Sequence, residues 1–166
     1  MTTPAIMIRT ATTSDVPAIV ALNDGLFEED AYQRDPTVNR ERDSAESIEH
    51  FMKLVTGEAS TCLLAFVDST PVGYLAGYTS GPNSFRPIKI ARLESIFVNG
   101  EWRSRNVGAR LHQELARWAQ AQGAERIAVS AYAANLRAIA FYERQGFTPY
   151  TLTLEHAIPS PEPARS

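Results

Sequence analysis

The sequence predicts an α/β (α+β) domain built on one mixed β-sheet with about four flanking helices. Two observations support this fold class. Apolar segments follow one another in the order strand, two helices, three strands, helix, strand, helix, strand. The helix that begins near Val107 also joins two apolar segments, at 88–98 and 126–131, and a strand–helix–strand connection of this kind makes its two strands parallel.

The chain has the size and composition of a single globular domain. Its 166 residues are 44% hydrophobic and 21% charged, and the net charge of −3 argues against a broad nucleic-acid-binding surface. We expect one domain over residues 1–155, followed by a disordered, proline-rich tail over residues 156–166. The N-terminus lacks a signal-peptide pattern, no apolar run is long enough to span a membrane, and Cys62 is the only cysteine. These features favour a cytoplasmic protein without nucleic-acid or membrane partners.

A strand and a helix open the domain. Residues 6–9 are largely apolar and are followed by polar residues, which is typical of a short strand. Thr13 or Ser14 then provides the cap of a first helix. This helix extends to Phe27 if it continues through Gly25, because a glycine weakens a helix without necessarily ending it.

A second helix and a hairpin follow. Asp43 and Glu46 form the capping box of this helix, and Gly57 is its predicted end. Its buried face has helical spacing and consists of Ile48, Phe51, Met52 and Val55. Two apolar segments, at 61–67 and 72–78, then flank a polar turn and are predicted to pair as a hairpin.

Strands and helices alternate in the C-terminal half. The strand at 88–98 precedes a helix that ends at Gly123 and buries Leu111, Leu115 and Trp118. The strand at 126–131 precedes a helix capped by Asn135. The last predicted strand, at 148–154, alternates threonines with the apolar residues Tyr150, Leu152 and Leu154.

The segment that joins strand 88–98 to the next helix is the most informative one for function. It is a polar turn at residues 103–109, called the anion-binding turn below, which leaves backbone N–H groups unpaired at a helix N-terminus. These groups and the helix dipole favour a bound phosphate. Gly108 lets a ligand approach the backbone closely, while Arg103 and Arg105 add positive charge. The alternative is an ordinary strand-to-helix turn with two solvated arginines, since short glycine motifs are weak indicators.

Two sequence blocks resemble the GNAT superfamily of acetyl-coenzyme-A-dependent acyltransferases. In that family the turn reads Gln/Arg-x-x-Gly-x-Gly/Ala, and residues 103–108 match it with Asn106 in place of the first glycine. After glycine, asparagine is the residue that best tolerates a left-handed backbone. The second block, residues 135–147, follows the order of the family's closing motif with Asn135, Ala138, Phe141, Tyr142, Gly146 and Phe147.

This resemblance implies a GNAT-like fold with acetyl-CoA as co-substrate. The expected sheet is mostly antiparallel, and its central parallel pair splays apart to admit the pantetheine arm. The residues implied to bind acetyl-CoA are Ile96, Phe97, Val98, Arg103, Ser104, Arg105, Asn106, Val107, Gly108, Ala109, Asn135, Ala138, Phe141 and Tyr142.

The resemblance also implies two catalytic residues. Tyr142 would protonate the departing thiolate, and Glu94 would take a proton from an amine acceptor. The backbone N–H of Phe97 would polarise the thioester carbonyl. The alternatives are a core tyrosine at position 142 and a glutamate at position 94 that pairs with Arg92 or Lys89. The expected reaction is direct attack by a primary amine in a ternary complex; the alternative function is a non-catalytic sensor of acetyl-CoA or CoA.

The sequence does not identify the acceptor, although a small-molecule amine or an amino acid is favoured over a protein. The acidic run at 28–30 could attract a cationic amine, but it is also typical of a solvated surface. Cys62 is expected to be buried, and a homodimer could form if the last strand pairs across a two-fold axis. Candidate acceptor-pocket residues are Tyr32, Tyr74 and Tyr78. No metal site is expected, because metal-ligand spacing is lacking for His50, His112 and His156.

Overall fold

A computed structural model describes residues 4–161 and confirms the predicted mixed architecture. Its strands are β1 (Ile6–Thr10), β2 (Ser60–Val67), β3 (Thr70–Ser80), β4 (Ile90–Val98) and β5 (Arg126–Val129). Its helices are α1 (Val16–Leu26), the single turn α2 (Tyr32–Arg34), α3 (Ser44–Thr56), α4 (Val107–Ala121) and α5 (Leu136–Arg144). Within the described residues the strands form one sheet in the order β1-β2-β3-β4-β5. No helix between residues 4 and 161 has the length and apolarity that a membrane crossing requires.

Local signals account for the sheet topology. The β2–β3 hairpin forms as predicted, because Asp68 and Ser69 both adopt positive φ angles, of 47° and 72°, as a two-residue hairpin turn requires. The connection through α4 makes β4 and β5 parallel, also as predicted. Their pairing runs only from Ile90–Arg126 to Leu93–Val129, so β4 continues beyond the end of β5. The parallel pair therefore leaves a gap beside the second half of β4.

Helices cover both faces of the sheet. On one face α1 and α3 bury Ile19 and Phe51 against Tyr74 of β3. On the other face α4 buries Leu111 and Leu115 against Leu75. These side chains are at most 2% exposed, so two apolar cores hold the sheet rigidly between the helices.

Helix α1 continues through Gly25, as the sequence allowed. A Cβ atom at Gly25 would lie 2.9 Å from Cζ of Phe97, so the glycine lets α1 approach β4 closely. The chain then forms a π-helical turn at Phe27–Ala31 before α2. This wider turn brings Glu29 and Asp30 to the gap beside β4.

Two predictions for the helices need correction. The turn that leads into α1 is capped by Thr12, rather than by Thr13 or Ser14, because the Asp15 carboxylate accepts from both the backbone N–H and the hydroxyl of Thr12. The Asp43 cap of α3 is confirmed, and its carboxylate accepts from the N–H of Ala45 at 2.8 Å. The predicted apolar face of α3 is partly wrong. Ile48 and Met52 are exposed, and the buried face contains Ser47, Phe51 and Leu54.

The predicted strand at 148–154 does not form in this chain. Residues 147–161 contain no helix or strand, and the side chains meant for a buried face are exposed. A period-two pattern becomes a strand only when it pairs with a sheet edge, and within the described residues this segment pairs with none. The expected tail at 156–166 continues the segment, and its residues 162–166 lie outside the described part of the chain.

We expect Asp15→Asn to lower the free energy of unfolding by about 1–2 kcal/mol at neutral pH. Asp15 accepts two hydrogen bonds from Arg9, at 2.7 and 2.9 Å, and caps the turn before α1. The guanidinium holds the pKa of this carboxyl well below its usual range, so the stabilisation is present at neutral pH and is lost as the pH falls below about 4. Urea unfolding of both proteins should show a difference at pH 7 that shrinks toward pH 3. A pH-independent difference would contradict the ionic origin.

Candidate active site

The anion-binding turn has the predicted backbone geometry. Asn106 adopts φ +65° and ψ 8°, which is the left-handed conformation expected where the family pattern has glycine. Ser104 is also left-handed, with φ +59°, which the sequence did not predict. The backbone N–H groups of residues 104–109 donate no hydrogen bond to any group of residues 4–161. Six free donors at the start of α4 form an arrangement that favours an anion such as phosphate.

The two arginines of the turn have different surroundings. Arg103 donates from Nε to the carbonyl oxygen of Val98 at 2.8 Å and forms an ion pair with Glu29. Its guanidinium therefore lies against the gap beside β4. The guanidinium of Arg105 instead stacks on the ring of Trp102, 4.9 Å from its centroid, and Arg105 is absent from the lining of the cleft described below.

One cleft of about 410 Å³ brings the predicted acetyl-CoA residues together; we call it the turn cleft. Its walls come from the end of β4, the anion-binding turn, the π-helical turn and α5. The predicted binding residues that line it are Ile96, Phe97, Val98, Arg103, Ser104, Asn106, Val107, Gly108, Ala109, Asn135, Ala138, Phe141 and Tyr142. Of the predicted set, only Arg105 is not among the lining residues.

The edge of β4 offers free backbone groups to this cleft. The N–H of Asn99 donates to the carbonyl oxygen of Val72, and in an antiparallel ladder such pairs recur at every second residue. The N–H of Phe97 is thus directed at Tyr74, so it cannot be the predicted oxyanion donor. The same alternation turns the backbone groups of Ile96 and Val98 away from β3 and toward the gap.

Helix α5 is fixed in place by its cap. The side chain of Asn135 accepts from the N–H of Ala138 at 3.1 Å and donates to Asp30 at 2.9 Å. Asp30 also forms an ion pair with Arg34 at 3.1 Å. Asn135 therefore has a capping and cross-linking role in the free protein, and the acidic run at 28–30 is not merely a solvated surface.

Gly108 allows helices α4 and α5 to pack closely. A Cβ atom at this position would lie 3.2 Å from the ring of Phe141, which is tighter than an ordinary contact. In the structure α5 makes a close approach to Gly108, and Gly108 also lines the turn cleft, so the close approach of a ligand stays a prediction. The absence of a side chain at Gly108 thus lets Phe141 form one wall of the turn cleft.

Tyr142 lies at the inner end of α5. Its ring packs edge-on against Phe141 and Phe147, with ring centroids 5.5 and 5.6 Å apart. Burial, with a smaller contribution from the charge of Asp30, raises the pKa of Tyr142 to about 12. Its hydroxyl makes no hydrogen bond to any described residue, although Tyr142 lines the turn cleft. This group is a protonated donor that lacks an acceptor among residues 4–161.

A β-bulge determines where Glu94 points. Ala76 pairs with Ser95 and Gly77 pairs with Leu93, so Glu94 is the extra residue of β4. The bulge places Glu94 and Ser95 on the same face, toward α1 and α3, where a regular strand would alternate them. The side chain of Glu94 is 27% exposed and lines a second cavity of about 420 Å³, called the Glu94 cavity below.

The partner of Glu94 is His50, which the sequence did not indicate. Nε2 of His50, on α3, lies 2.5 Å from Oε1 of Glu94. Neither of the predicted partners takes this place, since Lys89 donates to the carbonyl oxygen of Gln122 at 2.9 Å and Arg92 makes no ion pair within residues 4–161. His50 and Glu94 are 44 positions apart, and the sequence carries no periodic or motif signal that could have paired them.

A network of buried polar side chains on the same face of the sheet holds the bulge in place. The hydroxyl of Tyr74 accepts from Asn23 at 2.7 Å and donates to Ser95 at 2.9 Å. Arg42 donates to both Asn23 and Ser47 at 3.0 Å. Tyr74 is fully buried, and burial raises its pKa to about 12, so it is a structural residue and not part of an acceptor pocket as predicted.

The other side chains considered from the sequence have simpler roles. Cys62 is buried as expected, and burial together with the charge of Glu94 raises the pKa of its thiol to about 12. Tyr78 lines the Glu94 cavity, whereas Tyr32 packs edge-on against Phe27. Among residues 4–161 no three His, Cys, Asp or Glu side chains are grouped to hold a metal ion.

Comparison with known proteins assigns the family. The model of the acetyltransferase (GNAT) family matches residues 26–147, which is most of the chain. No curated protein matches by sequence alone. Three solved structures illustrate the fold: a mutant of the BH1408 protein from Bacillus halodurans, aminoglycoside N-acetyltransferase AAC(6')-Iy in complex with CoA, and an aminoglycoside acetyltransferase from an uncultured soil metagenomic sample in complex with trehalose.

All three likenesses extend over nearly the full length of both chains. The BH1408 mutant has 24% identity and a TM-score of 0.82 over 92% of this chain and 99% of the other. The CoA complex has 16% identity and a TM-score of 0.76 over 95% and 97%, respectively. The soil-sample enzyme has 20% identity and a TM-score of 0.68 over 94% and 97%. At these identities the structural likeness establishes the fold.

Proposed function

Since this chain belongs to the acetyltransferase (GNAT) family, we propose that it transfers the acetyl group of acetyl-CoA to a primary amine by direct attack in a ternary complex. The observation that carries this proposal is one shared cleft. The free N–H groups of the anion-binding turn, the free edge of β4 and the hydroxyl-bearing ring of Tyr142 all line it. Acetyl-CoA carries a diphosphate, a chain of amides and a thioester in this order. The diphosphate needs free N–H groups, the amides need an unpaired strand edge, and the thioester needs a proton donor for its sulfur.

The residues of the turn cleft fit acetyl-CoA. The N–H groups of residues 104–109 would bind the diphosphate, with Arg103 beside them. The backbone groups of Ile96 and the N–H of Val98 would pair with the pantetheine amides, because they face the gap, whereas the carbonyl oxygen of Val98 already accepts from Arg103. Ile96 lies two residues from Glu94, whereas Val98 lies nearer the turn, so the N–H of Ile96 takes the oxyanion role.

Glu94 and Tyr142 would move the protons. Glu94 accepts a proton from the amine, either directly or through water, while the amine nitrogen forms its bond to the thioester carbon. The carbon–sulfur bond then breaks, and Tyr142 donates its hydroxyl proton to the sulfur and regains one from solvent. Cys62 is excluded as an acyl carrier by its buried thiol, which supports direct attack.

The Glu94 cavity is the proposed acceptor site. Successive parts of β4 line both cavities. Leu93 and Glu94 line the Glu94 cavity, and Ile96 to Val98 line the turn cleft. A volume of about 420 Å³ suits a small amine or an amino acid better than a folded protein. Two of the similar structures are aminoglycoside acetyltransferases, so aminoglycosides belong among the compounds tested. A cytoplasmic location is part of this proposal and is consistent with the free thiol of Cys62.

A thiol-release assay tests the proposed function. Purified protein is mixed with acetyl-CoA and a panel of polyamines, aminoglycosides, amino acids and peptides, and free CoA thiol is followed over time. We expect release with at least one small amine and a product that carries one added acetyl group by mass spectrometry. Tight binding of acetyl-CoA without release across the panel would indicate a sensor. An absence of binding by calorimetry would reject the site altogether.

We expect Asn106→Ala to weaken acetyl-CoA binding about tenfold, because a left-handed alanine costs about 1–2 kcal/mol and the turn then loses its arrangement of N–H groups. Asn106→Gly is the matched control, since glycine adopts the observed φ of +65° without strain. Calorimetric titration with acetyl-CoA should show the loss in the first variant only. Equal affinities for both variants would contradict a role of this backbone geometry in binding.

A further inference from the structure

A few arginine side chains make no ion pair, hydrogen bond or ring contact with any group of residues 4–161; they are Arg92, Arg126, Arg137 and Arg144. Arg137 and Arg144 line the turn cleft, where the proposed function places an anionic cofactor. Arg126 is not among the residues that line either cavity. Arg92 lines the Glu94 cavity, where the proposed reaction needs a base but no cation. Its charge therefore indicates a property of the acceptor.

Arg92 and Glu94 lie on the same face of β4. The side chain of Leu93, between them, packs in the α4 core, whereas the bulge places Glu94 on the opposite face. Arg92 alternates with Leu93, so it also belongs to the face of Glu94. The Cα atoms of Arg92 and Glu94 are roughly 6–7 Å apart along the strand. Both side chains line the Glu94 cavity, so one small molecule bound there can contact a cation and an anion at once.

The other polar side chains of this cavity are also available to a ligand. Tyr78, Ser80 and Ser130 line it, and their hydroxyl groups make no hydrogen bond to any described group. His50 contacts Oε1 of Glu94, and Oε2 of that carboxylate has no hydrogen-bond partner within residues 4–161. The cavity thus offers one carboxylate oxygen, one guanidinium and three hydroxyl groups. A concave site with several convergent polar groups is suited to a small polar ligand.

An amino acid carries the two charges that match this pair. A guanidinium is always protonated, and its planar set of donors binds a carboxylate through two parallel hydrogen bonds. Glu94 suits the amine, whose proton the proposed reaction must remove. A polyamine or an aminoglycoside carries positive charges without a carboxylate, so the charge of Arg92 would oppose its binding. The volume of about 420 Å³ is also sufficient for a molecule of amino-acid size.

We propose that the acceptor is an amino acid whose amine lies at Glu94 and whose carboxylate binds Arg92. This inference rests on the proposed function, because it names the substrate class of the same site. Arg92 would then determine specificity without taking part in proton transfer. Since the carboxylate is bound equally before and during the reaction, the loss of Arg92 should raise KM and leave kcat nearly unchanged.

Matched compounds and matched variants test this inference in the whole chain. Each standard amino acid is compared with the amine that remains when its α-carboxylate is removed. Arg92→Met removes the cation and keeps a long side chain, and it should fold because Arg92 is exposed. Arg126→Met is the matched control, since Arg126 is an exposed arginine of β5 that lines neither cavity. Thiol release gives KM and kcat, and calorimetric titration into the CoA-bound protein gives affinity without turnover.

We expect the wild-type protein to have, for at least one amino acid, a KM at least about tenfold lower than for the matched amine. Arg92→Met should abolish this difference and keep kcat within about threefold, while Arg126→Met retains the difference. Equal KM values for amino acid and amine in the wild-type protein would overturn the inference and still support the proposed transfer. A preference that Arg92→Met retains would also overturn it, because the carboxylate would then bind elsewhere.

Calorimetry separates this inference from the proposed function. If no compound releases thiol, the proposed transfer fails, and the affinities of the CoA-bound protein decide the role of Arg92. An amino acid that binds the wild-type protein at least about tenfold more tightly than Arg92→Met would support the contact between carboxylate and guanidinium. An absence of binding for every amino acid would overturn it.

Discussion

Replacing Tyr142 with phenylalanine is expected to lower kcat by at least about 100-fold and to leave the affinity for acetyl-CoA within about threefold of the wild-type value. The hydroxyl is the only group removed, and because it forms no hydrogen bond to any described residue, folding does not depend on it. Burial raises the pKa of Tyr142 to about 12, which keeps the proton in place throughout the neutral range. Steady-state thiol release and calorimetric titration with acetyl-CoA measure the two quantities.

Tyr132→Phe is the matched control for this substitution. Tyr132 precedes the Asn135 cap of α5 and does not line the turn cleft, so its hydroxyl should be dispensable for turnover. If Tyr142→Phe retains its turnover, the sulfur is protonated by solvent, and Tyr142 is a packing residue between Phe141 and Phe147. If both variants fail equally, the loss reflects the shape of α5 rather than proton transfer.

The elements that the sequence predicted correctly are those that local interactions determine. Asp68 and Ser69 form a tight turn between adjacent strands, and Asp43 caps its own helix, so neighbouring residues contain the necessary information. The strand at 148–154 has an equally clear alternation, but a strand exists only when another edge binds it. The wrong prediction of the buried face of α3 has a similar cause. Ile48 and Met52 have helical spacing, yet the position of the sheet decides which stripe of the helix is buried.

The same distinction applies to the site. The anion-binding turn and Tyr142 belong to contiguous motifs, and the free N–H groups of the turn follow from a left-handed Asn106 at a helix start. The bulge at Glu94 depends on the register between β3 and β4. The alternation of residues within β4 alone does not reveal that register. Long-range contacts were equally hidden, because the partners Glu29 and Arg103 are separated by 74 residues.

Replacing Glu94 with glutamine is expected to lower kcat/KM for the amine acceptor by about 100-fold to 1,000-fold at pH 7, the range of a lost general base. At this pH the acceptor is mostly an ammonium ion, which cannot attack until a group removes its proton. The deficit should narrow as the pH approaches the pKa of the acceptor ammonium, because the free amine then forms in solution. A profile of kcat/KM against pH for both proteins measures this difference.

Three further variants separate the chemistry of Glu94 from its electrostatic surroundings. Glu49→Gln is the matched control, because Glu49 is an exposed carboxylate on α3 that pairs only with Lys53, at 2.7 Å, within the described chain. His50→Ala should change the shape of the pH profile with a smaller fall in kcat, since His50 acts on the acceptor only by holding Glu94 at 2.5 Å. His50→Gln should restore much of that loss, because an amide can donate to the same oxygen. A deficit of Glu94→Gln that stays constant up to high pH would show that the carboxylate positions the acceptor without taking its proton.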